Sequence, residues 1–216
     1  MKTIYETMAE KRLIAILRGI PGDMLMDVLD RLCEGGVRMA EITYDSSGKT
    51  TDRETARMIQ AAVKHTNDRM HIGAGTVTSM DQVKFTRAAG GSFIISPNTD
   101  PEIIESTKLL GMTSIPGAMT VSEIVTASKA GADYIKVFPA GCLGPGFIKQ
   151  VLAPLNNVKL LAVGGVTKDM IPDYFAAGCV GFGIGSAIAN KALCEAGDLD
   201  KISENARLYA GMCEKK

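Results

Sequence analysis

Apolar positions along this chain gather in short, β-branched runs separated by longer stretches of helical period. The runs are Leu13–Leu17, Met39–Thr43, His71–Gly75, Phe93–Ser96, Thr113–Pro116, Tyr134–Phe138, Lys159–Val163 and Gly181–Gly185. From Ala15 to Gly183 their centres cover 168 positions in seven intervals, a mean repeat of 24. Runs this short, bounded by turn residues, read as buried strands. In the gaps, Met24, Val28, Leu29 and Leu32 fall on one helix face, and Val121, Ile124, Val125 and Ser128 repeat that spacing. Thr99-Asp-Pro-Glu102 and Thr120-Val-Ser-Glu123 match the capping-box pattern of a helix start. Gly35-Gly36, Gly90-Gly91, Gly111, Gly131 and Gly178 stand a few residues before strands, where left-handed helix caps are expected.

Eight strands alternating with helices predict parallel pairing, with both sheet faces covered. A doubly wound open sheet and a closed barrel both satisfy that rule. The count of eight and its even spacing favour an α/β fold of the compact (β/α)8 TIM-barrel kind. An extra N-terminal helix over roughly residues 2–11 would precede the first strand, and a closing helix over roughly 199–213 would follow the last. No linker or low-complexity tract divides the chain, so residues 1–216 read as a single domain.

Composition narrows the function classes. Twenty-four basic and 24 acidic residues cancel, so the chain offers no basic footprint for nucleic acid. Only two histidines occur, and the five cysteines show no C-x-x-C spacing. Catalytic zinc is therefore not expected, nor a disulfide framework, and the cysteine usage points to a reducing compartment such as the cytoplasm. Glu6 and Glu10 interrupt the region where a signal peptide needs an apolar run, and no 18-residue apolar stretch occurs, so no membrane partner is expected.

Two residues break the apolar strand pattern: Lys136 in the sixth run and Glu41 in the second. Lys and Glu are almost never fully buried without a partner. A desolvated lysine offers a neutral amine near pH 7, the nucleophile of Schiff-base chemistry, and a nearby carboxylate can move protons. A purely structural Lys136–Glu41 ion pair satisfies the same pattern. The seventh run leads into Val163-Gly164-Gly165, and the eighth into Gly185-Ser186. In this fold, glycines after strands seven and eight form the usual phosphate site, although glycines also serve simply as tight turns. Arg18, Thr43, Thr76 and Pro97 stand at other strand ends as candidate contacts for substrate oxygens, with capping or surface roles as the alternatives. His71 opens its strand on the far face and is given no role. Met24, Met26 and Met58 read as helix packing, and Lys49, Arg53 and Arg57 as a solvated helix face.

Taken in order, AILRG, GGVRMAEIT, GAGTV, FIISPN, SIPGAMT, GADYIKVFPA, AVGGV and GFGIGSA resemble the KDPG/KHG aldolase family from about residue 10 to 190. The resemblance implies a metal-independent barrel lyase without an organic cofactor, usually a homotrimer. Its members cleave 2-keto-3-deoxy-6-phosphogluconate or 4-hydroxy-2-oxoglutarate to pyruvate and an aldehyde, so a keto-acid sugar phosphate is the implied partner. It further implies Lys136 as the Schiff-base lysine and Glu41 as the proton carrier. Thr76, Pro97 and Phe138 would line the pyruvate pocket, and Gly164, Gly165, Gly185 and Ser186 would hold the phosphate. Many relatives carry an Arg four residues after the Glu; here Asp45 stands there, and Arg18 is the candidate replacement. Val163 replaces the Thr of gluconate-type relatives and resembles the galactonate-type ones. The rival readings are a sugar-phosphate isomerase or epimerase barrel and a non-catalytic phosphosugar-binding module.

Overall fold

Nine strands form one parallel sheet in a computed structural model that describes residues 2–214. They are β1 (Leu13–Leu17), β2 (Met39–Thr43), β3 (His71–Gly75), β4 (Phe93–Ile95), β5 (Thr113–Ile115), β6 (Gly117–Ala118), β7 (Ile135–Val137), β8 (Leu160–Val163) and β9 (Gly181–Ile184). After α1 (Ile4–Lys11), a helix follows nearly every strand: α2 (Leu25–Glu34), α3 (Asp52–Thr66), α4 (Met80–Ala88), α5 (Pro101–Leu109), α6 (Val121–Lys129), α7 (Ala140–Leu152) and α8 (Ile171–Ala176). Beyond β9 lie the short α9 (Lys191–Glu195) and the closing α10 (Leu199–Cys213).

The sequence pattern predicts eight strands, and the ninth has a local cause. Strand order is β5-β4-β3-β2-β1-β9-β8-β7-β6, and its two ends are halves of one strand broken at Pro116. Proline has no N–H to donate to a ladder, so strand pairing is interrupted there. Its carbonyl still accepts from the Lys136 N–H at 2.8 Å, while β5 bonds β4 and β6 bonds β7. The ring therefore closes as a (β/α)8 barrel.

Side chains alternate between two shells, as the period of a strand requires. Leu13, Ala15, Leu17, Ala40, Ile42, Ile135 and Val137 face the helices in the larger apolar cluster. Ile14, Met39, Phe93, Ile95, Ile115, Leu161 and Val163 fill the barrel interior, joined by Met8 of α1. Register places Glu41 beside Ile16 and Gly73, and Lys136 beside Gly117 and Leu161, so both point inward. Thr120 and Glu123 form the predicted capping box at α6. At α5 the cap is Asp100 rather than Thr99, because Pro101 takes the first helical position; the Thr99 hydroxyl instead donates to the Gly117 carbonyl at 2.8 Å. Lys49 is likewise not on a helix face; it lies in the loop between β2 and α3. Among the described residues no helix is long and apolar enough to cross a membrane.

Candidate active site

Two cavities meet at the carboxyl ends of the strands, the end where barrels of this type do their chemistry. One of about 790 Å³ runs past Arg18, Thr43, Thr76 and Pro97, and one of about 480 Å³ past Val163, Gly164, Gly165, Gly185 and Ser186. Lys136, Phe138 and Arg18 line both and mark the junction. The structure thus brings together every candidate residue except Glu41, which is buried in the barrel interior on β2.

Lys136 is only 4% exposed, with its ammonium nitrogen 4.7 Å from the centre of the Phe138 ring. Burial lowers its pKa; the Glu41 charge works against that shift and Arg18 works with it. Glu41 is 1% exposed, and its Oε2 has no hydrogen-bond partner. Burial raises its pKa from the ordinary value near 4.5 to about 7, against opposing pulls from Lys136 and Arg18. No hydrogen bond or contact ion pair joins Lys136 to Glu41 among the described residues, although each group feels the other's charge. Two desolvated groups without a direct partner are costly to hold, and such groups concentrate at functional sites. Room for the carboxylate comes from Gly75, where any Cβ would overlap Glu41 Oε1.

On the smaller cavity, Gly164 and Gly165 take φ values of 86° and 72°, in the left-handed region that glycine adopts without strain. A Cβ on Gly164 would also meet the Phe138 ring at 2.7 Å. The backbone N–H groups of Gly165, Ser186 and Ala187 donate to no acceptor among the described residues. Free N–H groups lining a concave surface attract an anion. Asn190, absent from the sequence-based candidates, also lines this cavity and donates to the Ser186 carbonyl at 3.0 Å while capping α9. The helix-start pattern Asn190-Lys-Ala-Leu193 was a signal for it. On the larger cavity, Arg18 is exposed and donates to the Thr76 hydroxyl at 3.5 Å, and Thr76 itself holds a left-handed φ of 57°. The Thr43 hydroxyl donates to the Leu17 carbonyl at 3.4 Å. His71 lies at the opposite end of the barrel, buried and bonded to the Thr7 hydroxyl and the Lys2 carbonyl.

The buried amine and carboxylate thus share one mouth of the parallel barrel with a pair of glycine loops whose free N–H groups can take an anion. The chain belongs to the KDPG and KHG aldolase family, whose model matches residues 4–205. It is 37% identical over 175 residues to the 2-dehydro-3-deoxy-6-phosphogalactonate aldolase of Escherichia coli (strain K12), covering 81% of this chain and 82% of that one. It is 32% identical over 180 residues to the 2-dehydro-3-deoxy-phosphogluconate aldolase of Dickeya dadantii (strain 3937), covering 82% and 80%. Among solved structures, one described as "Native KDPGal structure" superposes with a TM-score of 0.83 at 34% identity, covering 93% of each chain.

Proposed function

We propose that this protein is an imine-forming aldolase that cleaves a 6-phosphorylated 2-keto-3-deoxy sugar acid to pyruvate and glyceraldehyde 3-phosphate. The observation that supports it most is the buried Lys136 amine with no contact partner, at the junction of two cavities. The neutral amine attacks the C2 ketone, and loss of water from the carbinolamine gives a protonated imine. Glu41 takes the C4 hydroxyl proton through a water molecule. The C3–C4 electron pair then moves into the imine and leaves an enamine. Glyceraldehyde 3-phosphate leaves, Glu41 returns the proton to C3, and water hydrolyses the resulting imine to release pyruvate and restore the amine. The iminium is the electron sink, so the cycle requires neither metal nor organic cofactor.

The two cavities divide the substrate. Arg18, Thr43, Thr76 and Pro97 hold the keto-acid end, where Arg18 supplies the cation that Asp45 does not. Gly164, Gly165, Gly185 and Ser186 take the phosphate, whose binding energy is gained away from the reacting bond. Val163 points into the barrel beside Gly164, where a threonine hydroxyl would otherwise meet the sugar. Loss of that hydroxyl weakens or reverses selection for the gluconate epimer, and a strong gluconate preference in side-by-side kinetics would refute it. A homotrimer in the cytoplasm belongs to the same reading; sedimentation at a trimer's mass tests the assembly.

Borohydride reduction with pyruvate, followed by peptide mapping, tests the central step. The expected result is a pyruvate-derived adduct on Lys136 that is absent in Lys136→Ala. A folded wild-type protein that traps no pyruvate would overturn the proposal.

A further inference from the structure

The keto-acid cavity contains a loop that the mechanism above leaves unused. Between β2 and α3, the Asp45 carboxylate accepts four hydrogen bonds from its own loop. Oδ1 takes the Ser47 N–H at 2.8 Å, and Oδ2 takes the Ser47 hydroxyl and the N–H groups of Lys49 and Thr50, each at 2.9 Å. These donors hold the Asp45 carboxyl down at about 2, so it is ionised and its charge is spent inside the loop. Lys49 bonds Asp45 through its backbone alone, and this exposed residue is part of the wall of the 790 Å³ cavity with Arg18, Thr43, Thr76 and Lys136. Its ammonium enters no ion pair among the described residues, whereas Lys191 on the same cavity wall is paired with Glu195 at 3.3 Å. An unpaired cation on a tethered loop in the wall of this cavity meets the requirement that Asp45 in place of an arginine creates.

Resting on the aldolase reading, we infer that the Asp45-centred loop is a positioning device that presents Lys49 as a second cation for the keto-acid carboxylate. Arg18 approaches that group from β1, and Lys49 from the β2 side. Asp45 acts through Lys49 and does not touch substrate. An ammonium on an exposed loop contributes modestly to affinity and also draws the anion in at a rate that falls with salt.

The test compares wild type with Lys49→Met, Lys49→Arg and Asp45→Asn, by steady-state kinetics and by the pyruvate concentration that half-saturates borohydride trapping. Lys49→Met should raise both KM and that half-saturation about three- to tenfold with kcat within a factor of two, the pattern of lost uniform binding. It should also flatten the fall of kcat/KM with ionic strength, and Lys49→Arg should restore both readouts. Asp45→Asn puts an amide donor against loop donors and should shift KM in the same direction while the folded signal in circular dichroism stays intact. Unchanged half-saturation and salt slope in Lys49→Met, with wild type trapping pyruvate normally, overturn this inference and leave the aldolase reading standing. A wild type that traps nothing overturns both.

Discussion

Glu41 and Lys136 face the same interior space, and burial pushes each toward its neutral form. Neutral Lys136 is the nucleophile, while Glu41 must be ionised to accept the C4 hydroxyl proton. Because Glu41 titrates at about 7, kcat/KM for cleavage should fall as pH drops below that value. Glu41→Gln should lower kcat by about 10²–10⁴-fold and still permit an imine with pyruvate, which borohydride trapping would show. A Gln variant that cleaves at the wild-type rate would remove Glu41 from the chemistry. The same burial has a cost in stability. The folded pKa lies above the unfolded one, so the Glu41 contribution is fully present below about 4.5 and is lost as pH rises through about 7. Glu41→Gln should therefore gain on wild type over that window, by up to about 3 kcal/mol. Urea midpoints at pH 4.5 and pH 8 check the sign. Both residues were legible in the sequence because a charged side chain inside an apolar run conflicts with everything around it. Their lack of contact was not legible, since spacing along a strand carries no information on distance across a barrel.

At the scale of elements, the loops after β8 and β9 separate packing from anion binding. A Cβ on Gly164 would strain its backbone and strike Phe138, so that position mixes fold and function. Gly185 is cleaner, because an added Cβ would meet Ile16 only at an ordinary 3.5 Å. Gly185→Ala should change stability by no more than about 1 kcal/mol. Gly185 lines the phosphate-side cavity, so an added methyl group there should raise KM for the phosphorylated substrate severalfold while half-saturation by pyruvate stays at the wild-type value. Parallel loss of both would place Gly185 in the keto-acid site instead. Element reading from sequence succeeded where one residue dominates a turn, as at Thr120, and missed by a residue where neighbours compete. Pro101 moved the α5 cap to Asp100, and Pro116 cut the fifth strand in two. Lys49 was misplaced because the Asp45 turn delays α3 to Asp52, and such side-chain-to-backbone bonding leaves no periodic signature.

Across the whole molecule, the barrel interior has two ends with separate work. The mouth contains desolvated charge, glycines and cavities, all of which cost stability. At the opposite end α1 plugs the interior with Met8, 1% exposed, in an apolar cluster with Ile14, Met39 and Tyr134. The closed eightfold ring was readable from the count and even spacing of the strands, whereas the plug was not. Nothing in the pattern of α1 says which of its apolar residues enters the barrel, because that depends on how the helix lies across the strand ends. This division makes a prediction about independence. Met8→Ala should destabilise the fold by about 2–5 kcal/mol, through lost transfer energy and the cavity left behind. Thermal denaturation should show a Tm lowered by several degrees. Well below that Tm, kcat, KM and pyruvate trapping should match wild type, because the deleted atoms lie at the end remote from Lys136. A kinetic defect that appears while the protein is still fully folded would show that packing at the closed end is transmitted to the mouth. The two ends would then be one mechanical unit.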